Sequence, residues 1–146
     1  MSQVWEKIML RTLIVEDNDI FRKALKEMLR VRFPSMAIEE ASNGEEALRK
    51  MPAFHPDVVF MDIRLPGKNG LEVTRKIRAT DWSGTIVVLT SHELPEYKTA
   101  AYSCGADYFL TKGRTTGDEI ASLIDSVVAR CTNMRFAMPK SGSIGV

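Results

Sequence analysis

Short apolar runs alternate with stretches of helical period about five times along the chain. The runs fall at residues 12–15, 37–41, 57–61, 85–89 and 106–110. Four of them are nearly continuously apolar and rich in Val, Ile, Leu or Phe, as strands covered on both faces of a parallel sheet should be. The run at 37–41 differs because it carries Glu39-Glu40. Adjacent charges of that kind fit an exposed edge strand.

Between the runs the period becomes helical. Phe21, Ala24, Leu25, Met28 and Leu29 form one apolar stripe, closed by Pro34. Ala47, Leu48 and Met51 form a second, with Ser42 and Glu45 spaced as a capping box before it. Leu71, Thr74 and Ile77 give a third, and Tyr97, Ala100 and Ala101 a weaker fourth after Pro95. Ile120, Leu123, Ile124, Val127 and Val128 give the cleanest, with Thr116 and Glu119 as its capping box.

Strand–helix repeated five times predicts an α/β fold: a doubly wound five-stranded parallel sheet in a three-layer α/β/α sandwich, with right-handed crossovers. The edge character of the second strand favours the flavodoxin-like order 2-1-3-4-5. That order makes the first and third strands neighbours at the topological switch point, where ligands meet the carboxyl ends of the strands. Residues 1–9 read as an N-terminal extension whose Trp5 and Ile8 could dock on the core, and residues 10–131 as the domain. Residues 132–146 contain Pro139, Gly142 and Gly145 without periodicity, and read as an unstructured tail or the start of a linker.

Composition removes several function classes. The 146 residues suit one domain, and 20 basic against 19 acidic residues give a net charge of +1. That balance argues against direct nucleic-acid binding or an anionic membrane, both of which favour a basic excess. Cys104 and Cys131 lack metal-ligand spacing and read as free thiols of a reducing, cytoplasmic compartment. No apolar run approaches a membrane span.

The candidate chemistry lies at strand ends. Glu16-Asp17 follows Leu13-Ile14-Val15, Asp62 follows Val58-Val59-Phe60-Met61, Thr90 follows Ile86-Val87-Val88-Leu89, and Lys112 follows Tyr108-Phe109-Leu110-Thr111. Pro66 and Gly70 stand four and eight residues after Asp62. A carboxylate ending a buried strand is poorly placed for stability and well placed to meet a ligand. Each residue alone has an ordinary reading: Asp62 as a turn cap, Glu16-Asp17 as a helix start, Lys112 as a solvated lysine, Thr90 as a strand terminator. Together, on four strand ends, they favour a site.

Acid pair, Asp-x-x-x-Pro-x-x-x-Gly, Thr, and Gly-Ala-Asp-x-Phe-Leu-x-Lys, in that strand order, resemble the receiver domain of bacterial two-component response regulators. The resemblance covers about residues 10–131, and Thr90-Ser91-His92 with Cys104-Gly105-Ala106-Asp107 is similar to the NarL/LuxR-type subclass. It implies that Asp62 accepts a phosphoryl group from a sensor histidine kinase, with Lys112 and Thr90 contacting the phosphoryl oxygens. It implies Mg2+ held by Asp17, Asp62 and the backbone carbonyl of Arg64, with Glu16 reaching the ion through water. Thr90 and Phe109 would be the switch, reshaping the surface of the fourth helix, fifth strand and fifth helix. The implied partners are the kinase, a second copy on phosphorylation, and an output domain or downstream protein such as a LuxR-type helix-turn-helix, which this sequence does not contain. The domain would not be an enzyme beyond its own phosphorylation and dephosphorylation. Gly113 replaces the proline that usually follows the lysine, which puts the cis peptide common there in doubt, and Ser91 replaces the commonest alanine.

Three rivals are weighed. A phosphorylation-independent receiver-like module would be expected to lack an acid or the lysine, and none is missing. A Mg2+-dependent phosphatase on a related sheet would place a second acid two residues after Asp62, where Arg64 stands. A nucleotide-binding enzyme would need a Gly-rich phosphate loop, and the chain has none.

Overall fold

The computed structural model describes residues 9–144, with side chains described to residue 131. Five strands alternate with five helices: β1 (Arg11–Val15), α1 (Asp19–Arg32), β2 (Ala37–Ala41), α2 (Gly44–Phe54), β3 (Val58–Met61), α3 (Gly70–Arg78), β4 (Thr85–Thr90), α4 (Pro95–Cys104), β5 (Tyr108–Thr111) and α5 (Gly117–Ile144). All pairings are parallel. The sheet order is β2-β1-β3-β4-β5, the flavodoxin-like order expected from the sequence.

Strand alternation divides the core in two. Ile14, Val58, Phe60, Val87 and Leu89 point to one face and pack with Leu25 and Leu29 of α1 and Ile120, Ile124 and Val127 of α5. Leu13, Val15, Val59, Met61, Ile86 and Val88 point to the other and meet Ala47, Met51, Val73, Ile77 and Ala101 of α2, α3 and α4. Successive strand residues facing opposite layers explain why the central strands read as unbroken apolar runs.

The two edges behave differently. On β2, Glu40 accepts from Arg22 and Lys26, both at 2.8 Å, and Glu39 lies 3.4 Å from Lys50. These charges line an outer strand, as the sequence suggests. The apolar run at 106–110 reads as a doubly covered strand, but all four residues of β5 are only half-buried. The strand order makes β5 the second edge, so one of its sides pairs with no strand among the described residues.

Local signals set most helix starts. Asn18 caps α1, its Oδ1 accepting from the Phe21 N–H at 3.0 Å. The capping box before α5 forms as read: the Thr116 N–H donates to Glu119 Oε1 at 2.8 Å and the Glu119 N–H to Thr116 Oγ1 at 3.1 Å. The one before α2 is displaced by a residue. Asn43 caps, accepting from the Glu46 N–H at 2.8 Å, and the Glu46 carboxylate accepts from the Ser42 N–H at 2.8 Å. Asn is as good a cap as Ser, and Glu46 rather than Glu45 sits where its side chain can reach back. α4 has Pro95 at its start, no side-chain cap, and buries only Ala101 and Cys104.

The sequence reading ends the domain at residue 131, yet α5 runs on to Ile144. Residues 132–138 contain no Gly or Pro and include Met, Arg and Ala, all good helix formers. No stop signal therefore acts at Cys131. The expected docking residues Trp5 and Ile8 lie outside the described residues.

Candidate functional site

The carboxyl ends of β1 and β3 are tied to their neighbours by one further backbone bond each. The Glu16 N–H donates to Ala41 O at 2.9 Å, and the Asp62 N–H donates to Val15 O at 3.1 Å. These bonds carry the sheet one residue beyond its formal ends and fix where both acids leave it. Glu16 is 2% exposed and Asp62 6%. Asp17, one residue on, is exposed. Ligand oxygens of the three carboxylates all lie within 4.8 Å of one another.

One cation answers this charge from inside the protein. Lys112 Nζ is 2.6 Å from Glu16 Oε1 and 3.3 Å from Asp62 Oδ2. The Lys112 backbone N–H donates to Thr90 O at 2.8 Å, which fixes the lysine to the end of β4. Three carboxylates and one ammonium leave a net negative, oxygen-lined cluster that suits a hard divalent cation. Burial, reinforced by the nearby Asp62 charge, raises the Glu16 carboxyl above its ordinary range, against the lowering pull of Lys112 and the Asn18 N–H. Asn18 donates to Glu16 Oε2 at 3.0 Å, and Arg22 Nη1 donates to the Glu16 carbonyl at 2.8 Å.

Thr90 is fully buried at the end of β4, and its Oγ1 accepts from the His92 N–H at 3.3 Å. His92 in turn sets its ring against Tyr97 in the first turn of α4, with centroids 5.7 Å apart. Phe109 pairs with Val88 across β4 and β5 and is half-buried against the core layer that includes Ala101 of α4. Arg64 is exposed in the loop after Asp62. The fold therefore gathers Glu16, Asp17, Asp62 and Lys112 into one cluster, with Thr90 bonded to the lysine's backbone. Arg64 and Phe109 lie on adjoining segments.

Two features were not evident from the sequence. Phe21, read as core stripe, lies with its ring centroid 4.5 Å from Lys112 Nζ. Gly70 packs so closely under the Asp62 loop that a Cβ there would stand 1.9 Å from the Asp62 carbonyl oxygen. Its place eight residues after Asp62 was the only sequence signal. Gly113 has φ +84°, a conformation proline's ring forbids, and every peptide bond among the described residues is trans. Cys104 and Cys131 are not joined in a disulfide, and Cys104 Sγ accepts from Arg75 Nη2 at 3.3 Å. No described helix is long and apolar enough to cross a membrane.

Comparison with known proteins places this arrangement. The response regulator receiver domain family matches residues 12–125. Response regulator GacA of Pseudomonas viridiflava is 31% identical over 132 residues, covering 90% of this chain and 60% of GacA. The chain thus spans about three fifths of that regulator's length. Among solved structures, a LuxR-family two-component response regulator from Aurantimonas sp. SI85-9A1 has TM-score 0.75 at 32% identity, covering 84% of this chain and 86% of that one. The receiver domain of a sensor histidine kinase from Pseudomonas aeruginosa PAO1, with a magnesium ion coordinated in its active site cleft, has TM-score 0.75 at 25% identity and covers 84% and 99%. With the 2-1-3-4-5 sheet and the acidic cluster at its switch point, these matches show that the chain belongs to the response regulator receiver domain family, a family of two-component signalling modules.

Proposed function

We propose that this receiver takes a phosphoryl group onto Asp62 and signals by a change in the surface built from α4, β5 and α5. The observation that carries the reading is the single ammonium of Lys112 held between Glu16 and Asp62, beside the exposed carboxylate of Asp17. An Asp62 oxygen forms a bond to phosphorus as the bond from phosphorus to the donor's leaving atom breaks. With acetyl phosphate the electron pair leaves on acetate. With a phosphohistidine of a sensor kinase it stays on the imidazole nitrogen, which takes a proton from solvent. Magnesium, held by Asp17, Asp62 and the Arg64 carbonyl with Glu16 one water away, would supply positive charge opposite the phosphoryl oxygens.

Lys112 contributes a point charge to those oxygens and the Thr90 hydroxyl a hydrogen bond. The Thr90 hydroxyl, which accepts from the His92 N–H, keeps its own O–H to donate, and as it moves toward the phosphoryl group Phe109 takes the space left behind. α4 suits a responding element because it buries few side chains, which lowers its local stability. The donor is a sensor histidine kinase, and the reading places both in the cytoplasm. The altered surface serves a second copy of the domain, a LuxR-type output domain or a separate downstream protein.

Incubation with acetyl phosphate and Mg2+ should add one phosphoryl group per chain, mapped to Asp62 by peptide mass, and none to Asp62→Asn. Equal labelling of the two proteins would refute the acceptor. In the same samples, hydrogen exchange should change in α4 and β5. A change confined to the loops around Asp62 would refute the proposed output surface.

A further inference from the structure

Among the described residues the Lys112 ammonium touches three groups, and only two are acids. Glu16 Oε1 lies at 2.6 Å, Asp62 Oδ2 at 3.3 Å, and the face of Phe21 at 4.5 Å from its ring centroid. Both acids also belong to the carboxylate trio that a divalent cation would draw on. When those oxygens turn to a metal ion, their hold on the lysine weakens. The aromatic ring is the contact that remains, because a hard, hydrated cation prefers oxygen while an ammonium is well matched to a π face.

The ring is fixed from behind. Phe21 sits in the first turn of α1, its N–H bonded to the capping Asn18. It packs half-buried against the apolar layer shared with α5. Its neighbour Ile20 is 83% exposed, so the helix phase turns Phe21 inward. The lysine's backbone is held by its N–H bond to Thr90 O at 2.8 Å, but nothing in that bond aims its side chain. Gly113 follows it at φ +84°, with open space where a Cβ would stand. A four-carbon stem ending in a point charge has many rotamers, and here its aim depends on what the ammonium touches.

We propose that Phe21 is a positioning residue, whose ring holds the Lys112 ammonium at the mouth of the acid cluster, ready for the phosphoryl oxygens. The proposal rests on phosphorylation of Asp62, and its test separates the two. Phe21→Leu keeps the apolar packing and removes the π face, whereas Phe21→Trp keeps a stronger one.

The first readout needs no reaction. With lysine labelled at Cε and Mg2+ saturating, the Lys112 methylene should show an upfield ring-current shift in wild type and Phe21→Trp, and lose it in Phe21→Leu. The second is the rate of Asp62 labelling by acetyl phosphate at saturating Mg2+. Phe21→Leu should label about tenfold more slowly, equivalent to about 1.4 kcal/mol of barrier. Its Mg2+ affinity should stay within about twofold of wild type, and Phe21→Trp should recover most of the rate. Labelling of Phe21→Leu at the wild-type rate would overturn the assignment, as would an unchanged Lys112 shift. A Phe21→Trp variant as slow as Phe21→Leu would reduce Phe21 to core packing. A wild-type protein that takes no phosphoryl group on Asp62 would overturn the functional reading and this one with it.

Discussion

Gly70→Ala should lose about 3 kcal/mol of stability, with a melting temperature lower by about 10 °C. An alanine Cβ would lie 1.9 Å from the Asp62 carbonyl oxygen, 2.8 Å from its carbonyl carbon and 2.9 Å from Ile63 Cα. All three are backbone atoms, so no side chain can swing aside. The loop is also closed by a bond from the Gly70 N–H to Ile63 O at 2.8 Å. Either α3 moves off the end of β3 or Asp62 shifts from its place beside Lys112, and both cost packing. Gly67→Ala is the control. Gly67 has φ +79° and nothing within 4 Å of a Cβ, so that change should cost only the left-handed backbone, about 1 kcal/mol. Chemical denaturation of the two variants measures the difference. Equal losses would mean that the close approach under Asp62 does not constrain the domain.

Gly70 shows where sequence reading stops. The interval from Asp62 to Gly70 was visible, but which atom the missing side chain would strike depends on how the intervening loop folds back. The sheet was legible because strand alternation is a one-residue pattern and both faces are covered. β5 read like a central strand because its residues are apolar, and only the strand order exposes it as an edge. The cap of α2 was misread by one residue because Ser42 and Asn43 are both good caps, and the choice rests on which Glu can reach back. The site acids and Lys112 were legible because they end strands whose neighbours follow from topology. Phe21 was not, since an aromatic at helical spacing is core far more often than it is a partner for a cation.

The clamp at the other end of the molecule was equally hidden. Arg78, the last residue of α3, donates to the carbonyls of Gly105 at 2.8 Å and Gly84 at 2.9 Å and to Asp107 Oδ2 at 2.6 Å. Asp107 Oδ2 also accepts from the Ile86 N–H at 2.8 Å. One arginine thus ties the C-terminal end of α4 to the base of β4 and β5. The N-terminal end of α4, next to Thr90, has no side-chain cap. α4 is thus anchored at its C-terminal end, while its first turn, without a side-chain cap, rests on the His92–Tyr97 ring contact. Sequence periodicity carries no trace of this, because the partners are two backbone carbonyls in separate turns and a carboxylate 29 residues away.

Neutralising the two adjacent acids should separate stability from metal binding. Glu16 is buried and its carboxyl is raised above the ordinary range, chiefly by burial and further by the charge of Asp62. The folded state therefore binds its proton more tightly than the unfolded chain does. The ionised form costs stability above the folded pKa, and the cost fades as pH falls from there toward the ordinary carboxylate value. Glu16→Gln removes that cost and keeps an acceptor for the Asn18 N–H. At neutral pH without metal, the variant should melt a few degrees higher than wild type, and the gap should close as the medium is acidified. Its Mg2+ affinity should fall by about 10–100-fold, the usual effect of losing an outer-sphere partner. Asp17 is exposed, so Asp17→Asn should leave the melting temperature nearly unchanged while lowering Mg2+ affinity by more than about 100-fold, as expected for loss of a direct carboxylate ligand. Thermal melts across pH and Mg2+ titrations followed by amide NMR give both quantities. A metal-free Glu16→Gln that melts below wild type at neutral pH would mean that the Lys112 pairing outweighs the burial of the charge. If Asp17→Asn bound Mg2+ as tightly as wild type, the exposed carboxylate would not be a ligand.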